Sequence, residues 1–173
     1  TLTTFEIDLP EMLEERRLVL SNLSNQKSVN RYMLDSDFKQ GEAGERLQRC
    51  PAYDPDVPTL VIYEGCSMYF SEQENRALML SVRRALRNPN SVVWADMVNH
   101  SVVDGTTNSE AITEFVNRMR ALGESFVFGC DEPSLFLEQC GFDVGSVVTA
   151  QDYSNSTDSS LGTYQFVVSR VSA

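Results

Sequence analysis

Short apolar segments alternate with amphipathic segments along most of the chain. Residues 59–63 form a nearly continuous apolar run, which is typical of a strand buried on both faces. Apolar residues at helical spacing over residues 112–122 predict a helix that Gly123 ends. Ser71 and Glu74 have the spacing of a capping box, so a second helix is predicted from there to about Arg87. The pattern therefore predicts both strands and helices in alternation.

The remaining elements complete an α/β pattern. Further strands are predicted at residues 4–8, 31–34, 91–96, 142–148 and 164–171. Further helices are predicted from Pro10 onward, at 44–50 and at 132–140, the last with Asp131 as its cap. Strands that alternate with helices indicate a mainly parallel sheet covered on both sides, within one domain. The last two strands have no helix between them and are expected to pair antiparallel.

Acidic residues outnumber basic ones, at 25 to 14, which gives a formal net charge of −11. Such a charge repels phosphate backbones, so no nucleic-acid partner is expected. No segment approaches the roughly 20 apolar residues of a membrane span, so no membrane partner is expected either. The apolar content of 42% is sufficient for a packed core.

Four cysteines and a single histidine, His100, limit the metal and redox chemistry. No two cysteines form a C-x-x-C pair, so a zinc site is not expected. The cysteines are interpreted as reduced thiols of a cytoplasmic protein, although two disulfides are compatible with their number. His100 follows the strand that ends at Asp96 and is a candidate general base; the alternative is a surface histidine in a loop.

Three predicted strands in succession are followed by acids: Asp8, Asp37 and Glu64. The carboxyl ends of the strands form the ligand crevice of an open α/β sheet, where acids can accept hydrogen bonds from a ribose or an amine. Any one of them could equally be a turn former or a helix cap. The chain has no G-x-G-x-x-G or Walker sequence, which disfavours a nicotinamide dinucleotide or another phosphate-bound cofactor.

Three segments resemble the leucine carboxyl methyltransferase family, in its bacterial and fungal small-molecule branch. They are FEIDLPE at 5–11, RY to DF at 31–38, and PTLVIYEGCSMYF at 58–70. Residues 123–129 and 135–142 are similar to bacterial members, so the resemblance runs in order from Phe5 to about Val148. It implies a Rossmann-like class I methyltransferase sheet, mainly parallel with an antiparallel C-terminal strand, and S-adenosylmethionine as the cofactor.

The resemblance also implies roles for individual residues. Asp8 lies where the family binds the ribose hydroxyls, and Glu64 lies where a glutamate stands beside the cofactor. Asp37 and Phe38 lie where an Asp-Leu pair meets the adenine, with Phe38 in place of the leucine. Tyr69 falls in the region that lines the acceptor pocket.

The family's first strand and its Gly-rich loop have no counterpart in residues 1–173. In the family this strand lies between the strands that here end at Asp8 and Glu64. We therefore expect a slot between these two strands, roughly 9–10 Å wide. The chain is expected to be one methyltransferase domain that is incomplete at its N-terminus. A missing N-terminal segment or a second chain would complete the sheet.

The activity implied is that of an S-adenosylmethionine-dependent O-methyltransferase acting on a carboxylate or hydroxyl of a small molecule. A carboxylate acceptor is already ionised and needs no base, whereas a hydroxyl would need one such as His100. The alternative is a methyltransferase-like domain without methyl transfer, which serves as a binding module or uses the cofactor only structurally. The residues do not distinguish one acceptor from another.

Overall fold

The structure, a computed structural model, describes residues 2–22, 30–154 and 159–172. Its strands are β1 (Thr3–Asp8), β2 (Asn30–Asp35), β3 (Leu60–Tyr63), β4 (Val92–Val98), β5 (Phe142–Thr149) and β6 (Tyr164–Val171). Its helices are α1 (Pro10–Ser21), α2 (Ala43–Arg49), α3 (Glu72–Ala85), α4 (His100–Val103), α5 (Glu110–Ala121) and α6 (Pro133–Glu138). Short 3-10 turns lie at Phe38–Gln40 and Ser67–Tyr69, and two more lie between β5 and β6. The predicted order of elements is confirmed, with α4 added.

The strands form two sheets. β1 pairs with β2 in parallel, and the larger sheet has the order β3-β4-β6-β5. β3 and β4 are parallel, whereas β6 is antiparallel to both of its neighbours, so β6 alone runs against the other strands of the larger sheet. The predicted antiparallel pairing of the last two strands is confirmed. β6 lies between β4 and β5 and pairs with both of them.

β1 and β3 belong to different sheets. Among the described residues the two strands share no ladder, as expected for a sheet without the family's first strand. One layer of helices nevertheless joins both sheets. Phe5 and Ile7 of β1 pack against a cluster that contains Leu47 of α2 and Ala85 of α3. Ile7 also packs against the main core, to which β3, β4, β5 and β6 all contribute.

The two faces of the larger sheet differ. Tyr63 of β3 is buried in the main core with residues of α3 and α6. Leu60 and Ile62, which alternate with it, are both 63% exposed. The prediction that residues 59–63 are buried on both faces is therefore wrong for this chain, since side chains alternate between faces and only one face carries described helices at β3. α1 lies on the other side of β1, because Glu6 points away from Phe5 and reaches Arg16 at 3.5 Å.

The helices α2 and α3 touch at a glycine. A Cβ at Gly44 would lie 2.0 Å from the carbonyl oxygen of Ser81, so only glycine permits this approach. The Gly44 amide also donates to Ser81 Oγ at 2.8 Å. This contact fixes the distance between the helix that follows β2 and the helix that follows β3.

The start of α3 agrees with the prediction from the sequence, whereas the end of α3 and the cap of α6 differ from it. The capping box of Ser71 and Glu74 is present at α3, although the helix ends at Ala85 instead of Arg87. The cap predicted for Asp131 is wrong: α6 begins after Glu132 with Pro133 at its first position, and the Asp131 carboxylate instead accepts from the amide of His100. Within the described ranges, no helix has the length and apolar character needed to cross a membrane.

Candidate functional site

The three predicted acids lie at the carboxyl ends of their strands. Asp8 is the last residue of β1, Asp37 follows β2 by two residues, and Glu64 follows β3 directly. The amide of Ser36 donates to the Asp8 carbonyl at 2.9 Å, which joins the ends of β1 and β2. Asp8 and Glu64 both act electrostatically on the thiol of Cys66. The structure therefore brings the ends of β1 and β3 together at one edge, and Asp37 directly follows the residue that bonds to Asp8.

The three carboxylates differ in how much of their hydrogen-bonding capacity is used. Asp8 accepts one bond, from the amide of Leu9 at 2.8 Å. Asp37 accepts from the amide of Lys39 at 2.9 Å and so caps the 3-10 turn at Phe38–Gln40, as the turn-former alternative predicts. Glu64 is exposed, and no described hydrogen bond reaches its carboxylate. Asp8 and Glu64 thus retain acceptor capacity for a ligand.

Asp96, which the sequence reasoning assigned no role in the site, holds the turn after β3. It is fully buried, and both of its carboxylate oxygens accept from the amide of Gly65, at 3.0 and 2.9 Å. The hydroxyl of Tyr164 donates to the same carboxylate. The only sequence signal was that residues 91–96 end in an acid, like the other strands.

Asn75 of α3 holds the other end of this turn. Its side-chain amide donates to the carbonyls of Ser67, Phe70 and Ser71 at 2.9, 3.0 and 3.1 Å. Its side-chain oxygen accepts from the Tyr63 hydroxyl at 2.8 Å. Asp96 and Asn75 therefore fix residues 64–71 at both ends, so Glu64 and Tyr69 are carried on a rigid segment.

Burial and carboxylates together determine protonation at this edge. Burial, and then the carboxylates of Asp96, Asp8 and Glu64, raise the pKa of the Cys66 thiol to about 11. Burial and the hydrogen bond to Asp96 raise the pKa of the Tyr164 phenol as well. Both groups are neutral at pH 7, so Cys66 is not a thiolate nucleophile. The charge of the edge is that of its carboxylates and is negative.

Aromatic rings line the segment on two sides. Phe38 is half-buried and packs edge-on against Phe70, with ring centroids 6.1 Å apart. The ring of Tyr69 packs edge-on against Phe126 at 5.2 Å. Burial and the Glu124 carboxylate raise the pKa of the Tyr69 phenol, which is therefore a neutral hydrogen-bond donor at pH 7.

His100 lies at the surface, as the alternative interpretation predicts, but it begins α4 and does not lie in a loop. Its amide donates to Asp131 at 2.9 Å, and its Nδ1 lies 3.2 Å from the other oxygen of the same carboxylate. The imidazole is 57% exposed. A Cβ at Gly129 would lie 2.6 Å from the His100 Cα, so Gly129 permits the close packing of this pair. Among the described contacts, none joins His100 to Asp8, Asp37 or Glu64.

The first part of the chain, which carries most of the candidate site, resembles a known protein family. Residues 1–83 match the leucine carboxyl methyltransferase family. The match covers β1, β2 and β3, and with them Asp8, Asp37, Phe38, Glu64 and Tyr69. The resemblance of the FEIDLPE and PTLVIYEG segments to this family is therefore confirmed. No curated protein matches the chain by sequence.

Solved structures extend the likeness to the rest of the chain. A DUF574 family protein from Streptomyces avermitilis superposes on 98% of the chain with a TM-score of 0.67 at 8% identity. An O-methyltransferase family protein from Burkholderia thailandensis superposes on 99% with a TM-score of 0.63 at 14% identity. Human N-acetylserotonin methyltransferase, solved in complex with S-adenosylmethionine, superposes on 98% with a TM-score of 0.54 at 11% identity. The predicted class I methyltransferase fold is confirmed.

The chain is shorter than these structures. It spans 65% of the Streptomyces protein, 44% of the Burkholderia protein and 40% of the human enzyme.

Proposed function

We propose that the edge formed by Asp8, Asp37 and Glu64 binds S-adenosylmethionine, and that the complete polypeptide transfers its methyl group to an oxygen atom of a small molecule. The observation that carries the proposal is that Asp8, Asp37 and Glu64 stand at the carboxyl ends of β1, β2 and β3, where Asp8 and Glu64 keep carboxylate oxygens that no described bond uses. A negative edge with unused acceptors suits a ligand that combines ribose hydroxyls with a positive sulfonium, and it does not suit a phosphate.

The side chains at this edge have the chemical groups that such a ligand requires. Asp8 has a second carboxylate oxygen that accepts no described bond, which suits a ribose hydroxyl. Phe38 offers an apolar ring beside the carboxylate of Asp37, which suits a purine with an exocyclic amine. Glu64 supplies negative charge near a sulfonium. When bound, the cofactor supplies a methyl group on positively charged sulfur, and the tasks left to the protein are alignment and exclusion of water.

The acceptor side is assigned to Tyr69, Phe126 and His100. The neutral phenol of Tyr69 can donate a hydrogen bond to an acceptor oxygen, and the Tyr69–Phe126 pair forms an apolar wall. A carboxylate acceptor needs nothing more. For a hydroxyl acceptor, His100 is the candidate base, because Asp131 engages Nδ1 and leaves Nε2 to receive the proton. A small molecule is the proposed acceptor class, and a cytoplasmic location stays a prediction.

Calorimetric titration of the complete polypeptide with S-adenosylmethionine tests the proposal. We expect saturable heat and a rise in Tm with the cofactor. We expect weaker binding of a sulfonium-free analogue of the same size, because a negative edge favours the cation. The absence of both heat and a thermal shift at millimolar cofactor would rule out the proposal.

The alternative is a methyltransferase-like domain that binds without methyl transfer. It is favoured by one observation: among the described strands β1 and β3 share no ladder, so the strand ends of the site flank a boundary that no described strand pairs with. The polypeptide is incubated with S-adenosylmethionine that is labelled in its methyl group and with panels of carboxylic acids and phenols. This experiment separates the two functions. Label in an ester or ether product supports transfer. Binding without any labelled product supports the alternative.

A further inference from the structure

A buried carboxylate without a cationic partner lies beneath the candidate site. Asp96 of β4 is fully buried, and its side chain accepts from the Gly65 amide with both oxygens and from the Tyr164 hydroxyl with one. Every described bond of this side chain is one that an ionised carboxylate accepts. No ion pair among the described residues includes Asp96. Because a buried charge is costly unless an opposite charge lies near it, Asp96 favours a positive group close by.

Gly65 brings this charge close to the surface of the site. It follows Glu64 at the end of β3, and its φ of 66° is a conformation that favours glycine. The Gly65 amide points inward to Asp96 at 2.9 Å, whereas a Cβ on Gly65 would meet no atom within 4 Å outside its chain neighbours. A ligand group in contact with the Gly65 Cα would therefore lie roughly 7 Å from the buried carboxylate.

The other charges that act at this turn have the same sign. Asp96, Asp8 and Glu64 all raise the pKa of the Cys66 thiol, and Asp96 and Glu64 also raise the pKa of the Tyr164 phenol. Among the described residues, no lysine, arginine or histidine is a cause of either shift. A positive ligand group at Gly65 is therefore attracted. At roughly 7 Å the attraction to one unit charge corresponds to about tenfold or more in affinity.

We propose that Asp96 is a specificity-determining residue that makes the site select a positively charged ligand over its uncharged counterpart. The inference rests on the proposed binding of S-adenosylmethionine, whose sulfur carries the charge. In methyl transfer the bond from sulfur to the methyl carbon breaks and its electron pair stays on sulfur, while the acceptor oxygen bonds to the methyl carbon. The product S-adenosylhomocysteine is a neutral thioether. The attraction to Asp96 is thus lost when the product has to leave.

Calorimetric titration of the complete polypeptide with S-adenosylmethionine and with S-adenosylhomocysteine tests the proposal. Asp96→Asn keeps the shape of the side chain and removes its charge. It is expected to shift the ratio of the two affinities about tenfold in favour of the neutral ligand. An unchanged ratio in the variant would overturn the proposal. If the wild-type protein binds neither ligand, the proposed function is contradicted as well.

Two control variants separate the charge of Asp96 from its part in holding the turn. Tyr164→Phe removes the hydroxyl that donates to Asp96 and keeps the carboxylate, so it should lower both affinities alike and leave their ratio unchanged. Glu138→Gln removes an exposed charge on α6 and should change neither affinity. If Tyr164→Phe shifts the ratio as far as Asp96→Asn does, Asp96 acts only by holding the turn and the proposal is wrong.

A second measurement uses the wild-type protein and does not depend on the folding of a variant. A sulfonium at Gly65 lowers the pKa of the neighbouring Cys66 thiol, whereas a thioether at the same place does not. Both ligands cover the same surface, so a difference in reactivity reports the charge. With iodoacetamide at pH 9, Cys66 should react about twofold or more faster under saturating S-adenosylmethionine than under saturating S-adenosylhomocysteine. Equal rates would overturn the proposal.

Discussion

At the scale of single residues, the negative charge around Cys66 can be tested directly through the reactivity of its thiol. The pKa of this thiol is about 11, chiefly through burial and then through Asp96, Asp8 and Glu64. Alkylation requires the thiolate, so Cys66 should react slowly at pH 8 and faster as the pH approaches 11. Peptide mass spectrometry after timed treatment with iodoacetamide measures the rate at Cys66 alone.

Neutralising the carboxylates should change that rate in a defined direction. Removing a negative charge lowers the pKa of the thiol, so the double change Asp8→Asn and Glu64→Gln should speed alkylation roughly two- to threefold at pH 9 to 10. Glu138→Gln is the control, since Glu138 is exposed on α6 and belongs to the other end of the sheet. An unchanged rate in the double variant would mean that these acids do not face Cys66.

Asp8 alone tests the proposed cofactor site. In the complete polypeptide, Asp8→Asn should weaken S-adenosylmethionine binding by about 1–3 kcal/mol, the cost of losing a charge-assisted acceptor. Calorimetry gives the affinity, and Glu138→Gln should leave it unchanged. A variant that loses stability but binds the cofactor normally would make Asp8 a turn former only.

At the scale of elements, the contact between α2 and α3 should tolerate no added atom. Alanine normally stabilises a helix interior by about 1 kcal/mol relative to glycine. At Gly44 its Cβ would lie 2.0 Å from the Ser81 carbonyl oxygen, so Gly44→Ala should instead cost about 1–3 kcal/mol of unfolding free energy. Urea denaturation measures this. Gly162→Ala, where a Cβ meets nothing within 4 Å, should change stability little, and equal effects would contradict the close contact.

The elements that could be predicted are those with a strong period or a local signal. α5 follows from its apolar spacing, and the start of α3 follows from its capping box, since both depend on residues a few positions apart. α4 could not be predicted, because its four residues are too few to show a period. The structure likewise pairs Asp131 with His100, 31 positions away, and no local pattern contains that contact.

The candidate site also contains some residues that could be predicted from the sequence and others that could not. Asp8, Asp37 and Glu64 could be placed at one edge because each follows a strand, and strand ends coincide in a parallel sheet. The supporting residues depend on distant contacts. Tyr164 binds Asp96 across 68 positions, and Asn75 reaches carbonyls of the preceding turn from within a helix. Their roles become visible only in the folded arrangement.

At the scale of the whole molecule, residues 1–173 prepared alone should associate. Leu60 and Ile62 are exposed, and β1 and β3 each have an edge that pairs with no described strand, which favours edge-to-edge pairing between copies. Light scattering should give masses above that of a monomer and rising with concentration, and calorimetry should show no S-adenosylmethionine binding. The double change Leu60→Lys and Ile62→Lys should reduce the association. A stable monomer that binds the cofactor tightly would contradict the expectation.

The position of β6 has a consequence for biosynthesis. β6 (Tyr164–Val171) is translated after β4 and β5 and lies between them in the sheet, so it holds together two strands that are made before it. While the ribosome still holds these residues, β4 has no partner on that side and its buried apolar face is open to the cell's chaperones. Nascent chains should therefore acquire protease resistance only once residues 164–171 have emerged from the ribosome. A premature stop within β6 would remove the shared neighbour of β4 and β5, and the product would be degraded far more readily than one shortened by the same number of residues in a surface loop.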